Sequence, residues 1–407
     1  MGGTTRLAGV LALALGAVLT PAAGASPAAR PVTTIAIVGD SAINPLHADF
    51  RTRDGRAPRY PAGMPAPVVV PVPRGMSFAD AMDRLAEGPL GHPKAGTLYA
   101  LQGTRLLIYA TPGQSGFLAP GDNRLHGTGA ASSAAGRVTG TSPDSLVVFV
   151  PGMTAPGYGW IARQQWIDVA STSVYAVRTT DQCAGAAEVR EQYRAGGLLF
   201  SSSGNTADWA EPVSIPNGLP EVYQVGGVDG TGRSWLPPHP AEPSPFFAAG
   251  TVVRPYESGA RFSFQAATGD GITGTQPFGG TSGATPTVAG YAAELVAEAR
   301  RILHSGGRRG AVLAALGPGG ARPRSGPLAD GTLTRDELVA VLHATATPYE
   351  TAGPQRYEIE GYGATTAASH ALALRVLRGQ SVLPSRPDED AANARAESVR
   401  AALAGRC

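Results

Sequence analysis

Three residues able to do acyl-transfer chemistry stand far apart in this chain, each inside a turn of small residues. Ser282 lies in Gly280-Thr281-Ser282-Gly283-Ala284-Thr285-Pro286, His126 in Leu125-His126-Gly127-Thr128-Gly129, and Asp40 in Gly39-Asp40-Ser41. Acyl transfer needs a hydroxyl nucleophile, an imidazole to take and return its proton, and a carboxylate to fix the imidazole's tautomer. It also needs donors aimed at the developing oxyanion, and the amide of Asn205, in Ser203-Gly204-Asn205, is such a donor. Taken singly, each has a plainer reading. A serine there is a helix cap, an aspartate after a strand is a turn residue, and a lone histidine is a satisfied core or surface side chain. The set of four is what carries weight.

The elements around them are those that could position such a set. The run Thr34–Val38 reads as a buried parallel strand, which would bring Asp40 to its carboxyl end, where functional groups gather in open α/β sheets. The glycines beside His126 permit close helix packing and put the imidazole at a helix start. Behind Ser282, Ala289, Ala292, Leu295, Val296 and Ala299 recur at helical spacing. Thr281 or Ser282 is expected to cap that helix, Pro286 to sit in its first turn, and Gly306-Gly307 to end it. A serine at a helix N-terminus sits in a positive field near free N–H donors.

A regular β/α alternation supports the same picture. Strands are expected at Leu146–Val150, Trp166–Ala170, Leu198–Phe200 and Glu221–Gly227. A connector helix is expected at Trp160–Gln165, and a further helix, capped by Asp181, running to Gly196-Gly197. This argues for an α/β fold with a mostly parallel central sheet covered by helices on both faces. Residues 51–120 differ: proline-rich text leads to an amphipathic piece, Phe78–Glu87, and a hairpin across Gln102-Gly103-Thr104. They read as an insertion or lid. Thr334 and Glu337 have capping-box spacing at the head of a late helix.

Composition narrows the class. Apolar residues make up 43% of the 407 and charged residues 16%, so the chain can bury a sizeable core. A net charge of +2 gives no reason to invoke nucleic acid or an acidic membrane surface. The N-terminus reads as a secretory signal peptide over 1–25: Arg6, an apolar run from Leu7 to Leu19, Pro21, then Ala23-Gly24-Ala25 as a small-x-small cleavage site. That run is too short to span a bilayer, so no membrane anchor is expected and the mature chain should be secreted. Cys183 and Cys407 suit an oxidising compartment, either as one disulfide tying the tail to the body or as two unpaired thiols.

With these motifs in place the chain resembles the subtilisin-like serine peptidases. Ile37-Val38-Gly39-Asp40-Ser41-Ala42-Ile43 resembles the family's aspartate motif, with Ala42 where glycine is usual. His126-Gly127-Thr128-Gly129 resembles the histidine motif, with Gly129 where a second, non-catalytic histidine is common. Ser203-Gly204-Asn205 resembles the oxyanion segment, and Gly280–Pro286 the serine motif. The resemblance implies a three-layer fold with Asp40 as orienting carboxylate, His126 as base and acid, Ser282 as nucleophile and Asn205 as oxyanion donor. Ser173, Ser203 and Gly204 resemble the residues lining the substrate cleft. It further implies a peptidase domain over 26–380, with the 51–120 segment inserted and a helical tail over 381–407, acting as a monomer on protein or peptide substrates.

There are departures from the family pattern. Members usually carry a prodomain before the aspartate motif, where only about a dozen residues separate Ala25 from Asp40 here. The interval from aspartate to histidine is longer than usual, and that from histidine to Ser173 is shorter. Members often bind structural calcium, but no acidic loop identifies a site, so neither metal nor cofactor is assigned. An α/β-hydrolase would show Gly-x-Ser-x-Gly and the order serine, acid, histidine, which this chain lacks. The remaining alternative is a catalytically silent subtilase-fold protein that binds peptides or serves as a scaffold.

Overall fold

The run Thr34–Val38 forms strand β1, and its alternation divides the molecule: Ile35 and Ile37 enter one apolar core, Ala36 and Val38 the other. Buried on both faces, it can only be a central strand. In the computed structural model, the described residues are 31–40, 42–119, 122–174, 185–203, 216, 219–228, 234–235, 258–261, 263–348 and 362–385. From β1 the sheet runs one way through β5 (Leu146–Val150), β4 (Leu106–Tyr109) and β3 (Leu98–Leu101) to β2 (Val68–Val70). The other way it runs through β6 (Val169–Thr172), β7 (Leu199–Ser202) and β8 (Tyr223–Val228) to β10 (Ser258–Arg261), with β9 (Ser234–Trp235) also on β8. All neighbours are parallel except β3 with β4 and β8 with β9. The chain leaves β1 for one side of the sheet and returns to the other at β6. The β1/β6 boundary is therefore a switch point of the kind where α/β sheets open a crevice.

Helices cover both faces, as the alternation of elements implied. On one face lie α2 (Asp122–Ala135) and the 23-residue α5 (Thr281–Leu303), which pack on each other through alanines. On the other lie α3 (Ala155–Ala162) and α4 (Ala186–Arg194), whose Tyr158, Ile161 and Val189 enter the second core. A hairpin of β11 (Ser263–Ala267) and β12 (Thr275–Gly279) leads directly into α5. Beyond α5 come a small ladder of β13 (Val312–Ala315) and β14 (Thr332–Thr334), then α6 (Arg335–Thr345) and α7 (Ala367–Leu377). Thr334 and Glu337 form the expected capping box on α6.

Several expectations need correction. Residues 51–119 do not form a lid, because β2, β3 and β4 continue the central sheet at its edge, with α1 (Phe78–Glu87) between them. The strand expected at Trp166–Ala170 begins three residues later, at Val169, since Trp166 and Ile167 are buried by packing into the second core rather than by pairing. The connector helix likewise begins earlier, at Ala155, behind a Thr154 cap. α5 ends at Leu303 with His304 in the left-handed conformation (φ 51°), before Gly306-Gly307 is reached. α4 starts after Gly185, and the Asp181 cap lies outside the described residues. So do residues 1–30, Cys183, Asn205, Cys407 and the tail from 386.

Candidate active site

Asp40 follows β1 at its carboxyl end and is 3% exposed. Its Oδ1 accepts a hydrogen bond from His126 Nδ1, the two residues being brought together from β1 and the first turns of α2. Gly127 makes that approach possible: a Cβ there would lie 2.1 Å from the Ala42 carbonyl oxygen and 3.1 Å from Asp40 Cβ. Only a residue without a side chain lets α2 settle on the aspartate turn. With Nδ1 committed to the carboxylate, Nε2 is the imidazole nitrogen left for chemistry. Burial pulls the His126 pKa down, but the Asp40 charge and hydrogen bond together outweigh it and hold the group above its ordinary 6.5.

Ser282 stands in the first turn of α5 and is 8% exposed. The cap is neither Thr281 nor Ser282 but Gly280, at φ 72°, a region closed to most side chains, and no side chain caps the helix. This frees the Ser282 hydroxyl. It donates to the Ser173 carbonyl at 3.3 Å, and Ser173 Oγ donates back to the Ser282 carbonyl at 2.8 Å. Among the described residues no hydrogen bond joins Ser282 to His126.

The reciprocal serine pair has a cause in Pro286. That proline lies inside α5, one turn further than expected. Position 286 is where the helix would supply an N–H to the carbonyl of residue 282, and proline has none. The Ser282 carbonyl is thus orphaned inside the protein, and the Ser173 hydroxyl, just past the end of β6, satisfies it. One proline thereby ties the Ser282 turn to the β6 edge of the crevice, a link that the sequence reading of Ser173 as a cleft residue missed. The spacing Ser282-x-x-x-Pro286 carried the signal.

Phe278, the penultimate residue of β12, closes the other side. Its ring meets His126 edge to face at 5.5 Å between centroids, and a Cβ on Gly129 would fall 2.6 Å from it. Where the family motif often has a second histidine, this chain leaves room for Phe278. Ser203 follows β7, with its N–H on the Val225 carbonyl at 2.9 Å; Gly204 and Asn205 lie outside the described residues. No group of three His, Cys, Asp or Glu able to hold a metal occurs among the described residues, and no helix among them is long and apolar enough to cross a membrane.

A carboxylate-oriented imidazole and a helix-borne serine, at the switch point of a parallel sheet, match one family by sequence as well. The sequence model of the subtilase family matches residues 33–305, a span that contains every residue of the site. The chain belongs to the subtilase family. It is a serine-type endopeptidase of subtilisin-like fold, and its substrates are peptides or proteins. Similar solved structures include a cold-adapted subtilisin-like serine proteinase, at 16% identity over 82% of this chain and 87% of that one (TM-score 0.43). The prenylagaramide maturation protease PagA matches at 16% identity over 84% and 94% (TM-score 0.46). A serine-to-alanine mutant of the protease domain of PatA matches at 17% over 84% and 95% (TM-score 0.47). No curated protein matches the chain.

Proposed function

We propose that this subtilase is secreted and hydrolyses peptide bonds through an acyl-enzyme on Ser282, with His126 as general base and acid and Asp40 as its orienting carboxylate. The observation that carries the reading is the buried Asp40 carboxylate on His126 Nδ1. It fixes the tautomer in which Nε2 can accept a proton, and its charge stabilises the imidazolium that forms. Turning about its Cα–Cβ bond releases the Ser282 hydroxyl from the Ser173 carbonyl and hands its proton to His126 Nε2 as the oxygen attacks the scissile carbonyl. The oxyanion then forms beside the first-turn N–H of Ser282, which has no intrahelical partner, and the Asn205 side-chain amide supplies the second donor. His126 returns the proton to the leaving amine, and water repeats the sequence in reverse to free Ser282. Ser173 and Ser203, just past the ends of β6 and β7, line the bound peptide together with Gly204. The signal-peptide pattern over 1–25 supports export, where a disulfide between Cys183 and Cys407 could form.

Fluorophosphonate labelling of the exported protein tests this, read by intact mass and peptide mapping beside Ser282→Ala. One adduct on Ser282, none in the variant, an unchanged circular dichroism spectrum and a mass lacking residues 1–25 are expected. A folded wild-type protein that takes no adduct, or a Ser282→Ala variant that still hydrolyses peptides, would overturn the catalytic assignment. A mass retaining residues 1–25 would overturn secretion by cleavage.

A further inference from the structure

We infer that Arg124 and Asp270 are positioning residues, a charged strap that sets the His126 helix against the hairpin delivering Ser282. The inference rests on the catalytic reading above and goes beyond it to two residues outside the triad.

Arg124 lies two residues before His126 and is 7% exposed. Its guanidinium donates to the Leu118 carbonyl at 3.1 Å and to the Asp270 carboxylate, and it sits 5.4 Å from the centre of the Phe78 ring. A cation so far withdrawn from water requires its carboxylate partner. Asp270 comes from the tip of the β11–β12 hairpin, whose second strand runs through Phe278 and Gly280 into Ser282. The pair therefore joins the helix turn that carries the base to the hairpin that leads into the nucleophile.

The contact around it leaves little slack. A Cβ on Gly269 would fall 2.6 Å from Leu125 Cα, so the hairpin tip rests directly on the backbone of α2. The same tip is held by the segment that follows Asp40. Asn44 donates through its side-chain amide to the Gly271 carbonyl at 2.8 Å, and the Ala48 N–H donates to the Ile272 carbonyl at 2.7 Å. The Asn44 N–H in turn bonds Thr128 Oγ1, on α2, at 2.8 Å. The stretch after Asp40 and the stretch before His126 thus converge on residues 268–272, the tip of the hairpin that leads to Ser282. Arg124–Asp270 is the charged link among these contacts. Hydrogen bonds fix the Asn44–Ala48 stretch to the tip, and the ion pair fixes the rotation of the first α2 turn on which the imidazole rides. A misplacement of about 1 Å at a reacting group can cost on the order of a hundredfold in rate.

Asp270 is largely exposed, so its replacement opens no cavity, and the Arg124 guanidinium it leaves behind keeps its hydrogen bond to the Leu118 carbonyl. Asp270→Ala is expected to lower kcat roughly tenfold or more while KM stays within about twofold, since the lost interaction orients groups rather than binding substrate. Asp270→Glu should retain most of kcat. Arg124→Ala combined with Asp270→Ala should be no slower than Arg124→Ala alone, because the two act as one unit. If Arg124→Ala does not fold, the Asp270 series carries the test. Hydrogen exchange at the Ala48 amide reads the strap without turnover and should quicken in Asp270→Ala. An active wild-type enzyme with kcat unchanged in Asp270→Ala, a loss confined to KM, additive losses in the double variant, or unchanged Ala48 exchange would each overturn the strap. A folded wild-type protein that neither hydrolyses peptides nor labels at Ser282 is a different failure, that of the catalytic reading itself.

Discussion

At the scale of single residues the decisive pair is Asp40 and His126, because its electrostatics predict a pH dependence with a definite sign. The carboxylate holds the His126 pKa above 6.5 against the pull of burial. A general base works only when neutral, so kcat/KM should rise with pH through an apparent value above 6.5. Stability runs the other way. A histidine that binds its proton more tightly folded than unfolded adds stability fully below 6.5, and loses it as pH climbs through the folded value. Activity gained on the alkaline side is thus accompanied by a small loss of thermal stability from this group. Asp40→Asn removes the charge while preserving shape. Its acid limb should move downward and its kcat should fall by up to about ten-thousandfold, the scale seen when a triad carboxylate is neutralised. Steady-state profiles of kcat/KM against pH for both proteins check this. Coincident acid limbs would mean that Asp40 does not set the His126 proton.

At the scale of elements, the start of α5 poses a problem that its own sequence creates. Pro286 removes the donor for the Ser282 carbonyl, and Ser173 replaces it from β6. Ser173→Ala should therefore destabilise the protein by about 1–3 kcal/mol, the usual cost of an unsatisfied buried acceptor. Pro286→Ala restores an N–H at the right place, so the same Ser173→Ala change should cost much less in that background. Urea unfolding of the four proteins in this cycle measures the coupling. Equal penalties in both backgrounds would show that the serine pair does not compensate for the proline. The example also shows what could and could not be read from sequence. The meeting of Asp40 with His126 was legible because the glycines beside the histidine let backbones approach, as Gly127 does on Ala42. β1, β5, β7, α6 and its capping box were legible from continuous apolar runs or local hydrogen-bonding patterns. β6 was displaced because Trp166 and Ile167 look like strand residues yet are buried by packing, a distinction that depends on tertiary neighbours. Residues 51–119 read as an appendage because prolines flank β2. At a sheet edge a strand needs pairing on only one side, so proline around it is no obstacle. Asp270 gave no signal at all, since its partner Arg124 lies 146 residues away.

At the scale of the whole molecule, the end of the sheet opposite Asp40 and His126 is held by a buried ion pair. Asp168, 1% exposed, accepts from the Thr34 N–H at 2.9 Å and from two nitrogens of Arg300, itself 4% exposed. Arg300 also donates to the Val32 carbonyl at 3.3 Å and the Leu313 carbonyl at 3.0 Å. One guanidinium thus gathers the entrances of β1 and β6, the last turns of α5 and the β13 ladder. Its place near the helix C-terminus is favourable for a cation. Such a pair need not stabilise the fold relative to a well-packed apolar replacement, because withdrawing both charges from water offsets much of their attraction. Breaking it from one side is another matter. Asp168→Asn keeps the shape but leaves Arg300 buried with an uncompensated charge, and should lower stability by about 3–5 kcal/mol. Combining Asp168→Asn with Arg300→Met removes that charge and should recover a large part of the loss. Because the pair lies at the amino ends of β1 and β6, and Asp40 and Ser173 follow their carboxyl ends, kcat per fluorophosphonate-titrated site should change little in either variant. Urea midpoints beside active-site titration separate the two effects. A kcat that falls in step with stability would mean that the amino end of the sheet reaches the chemistry. An Asp168→Asn midpoint equal to wild type would mean that hydrogen bonding alone, without the charge, holds these four elements together.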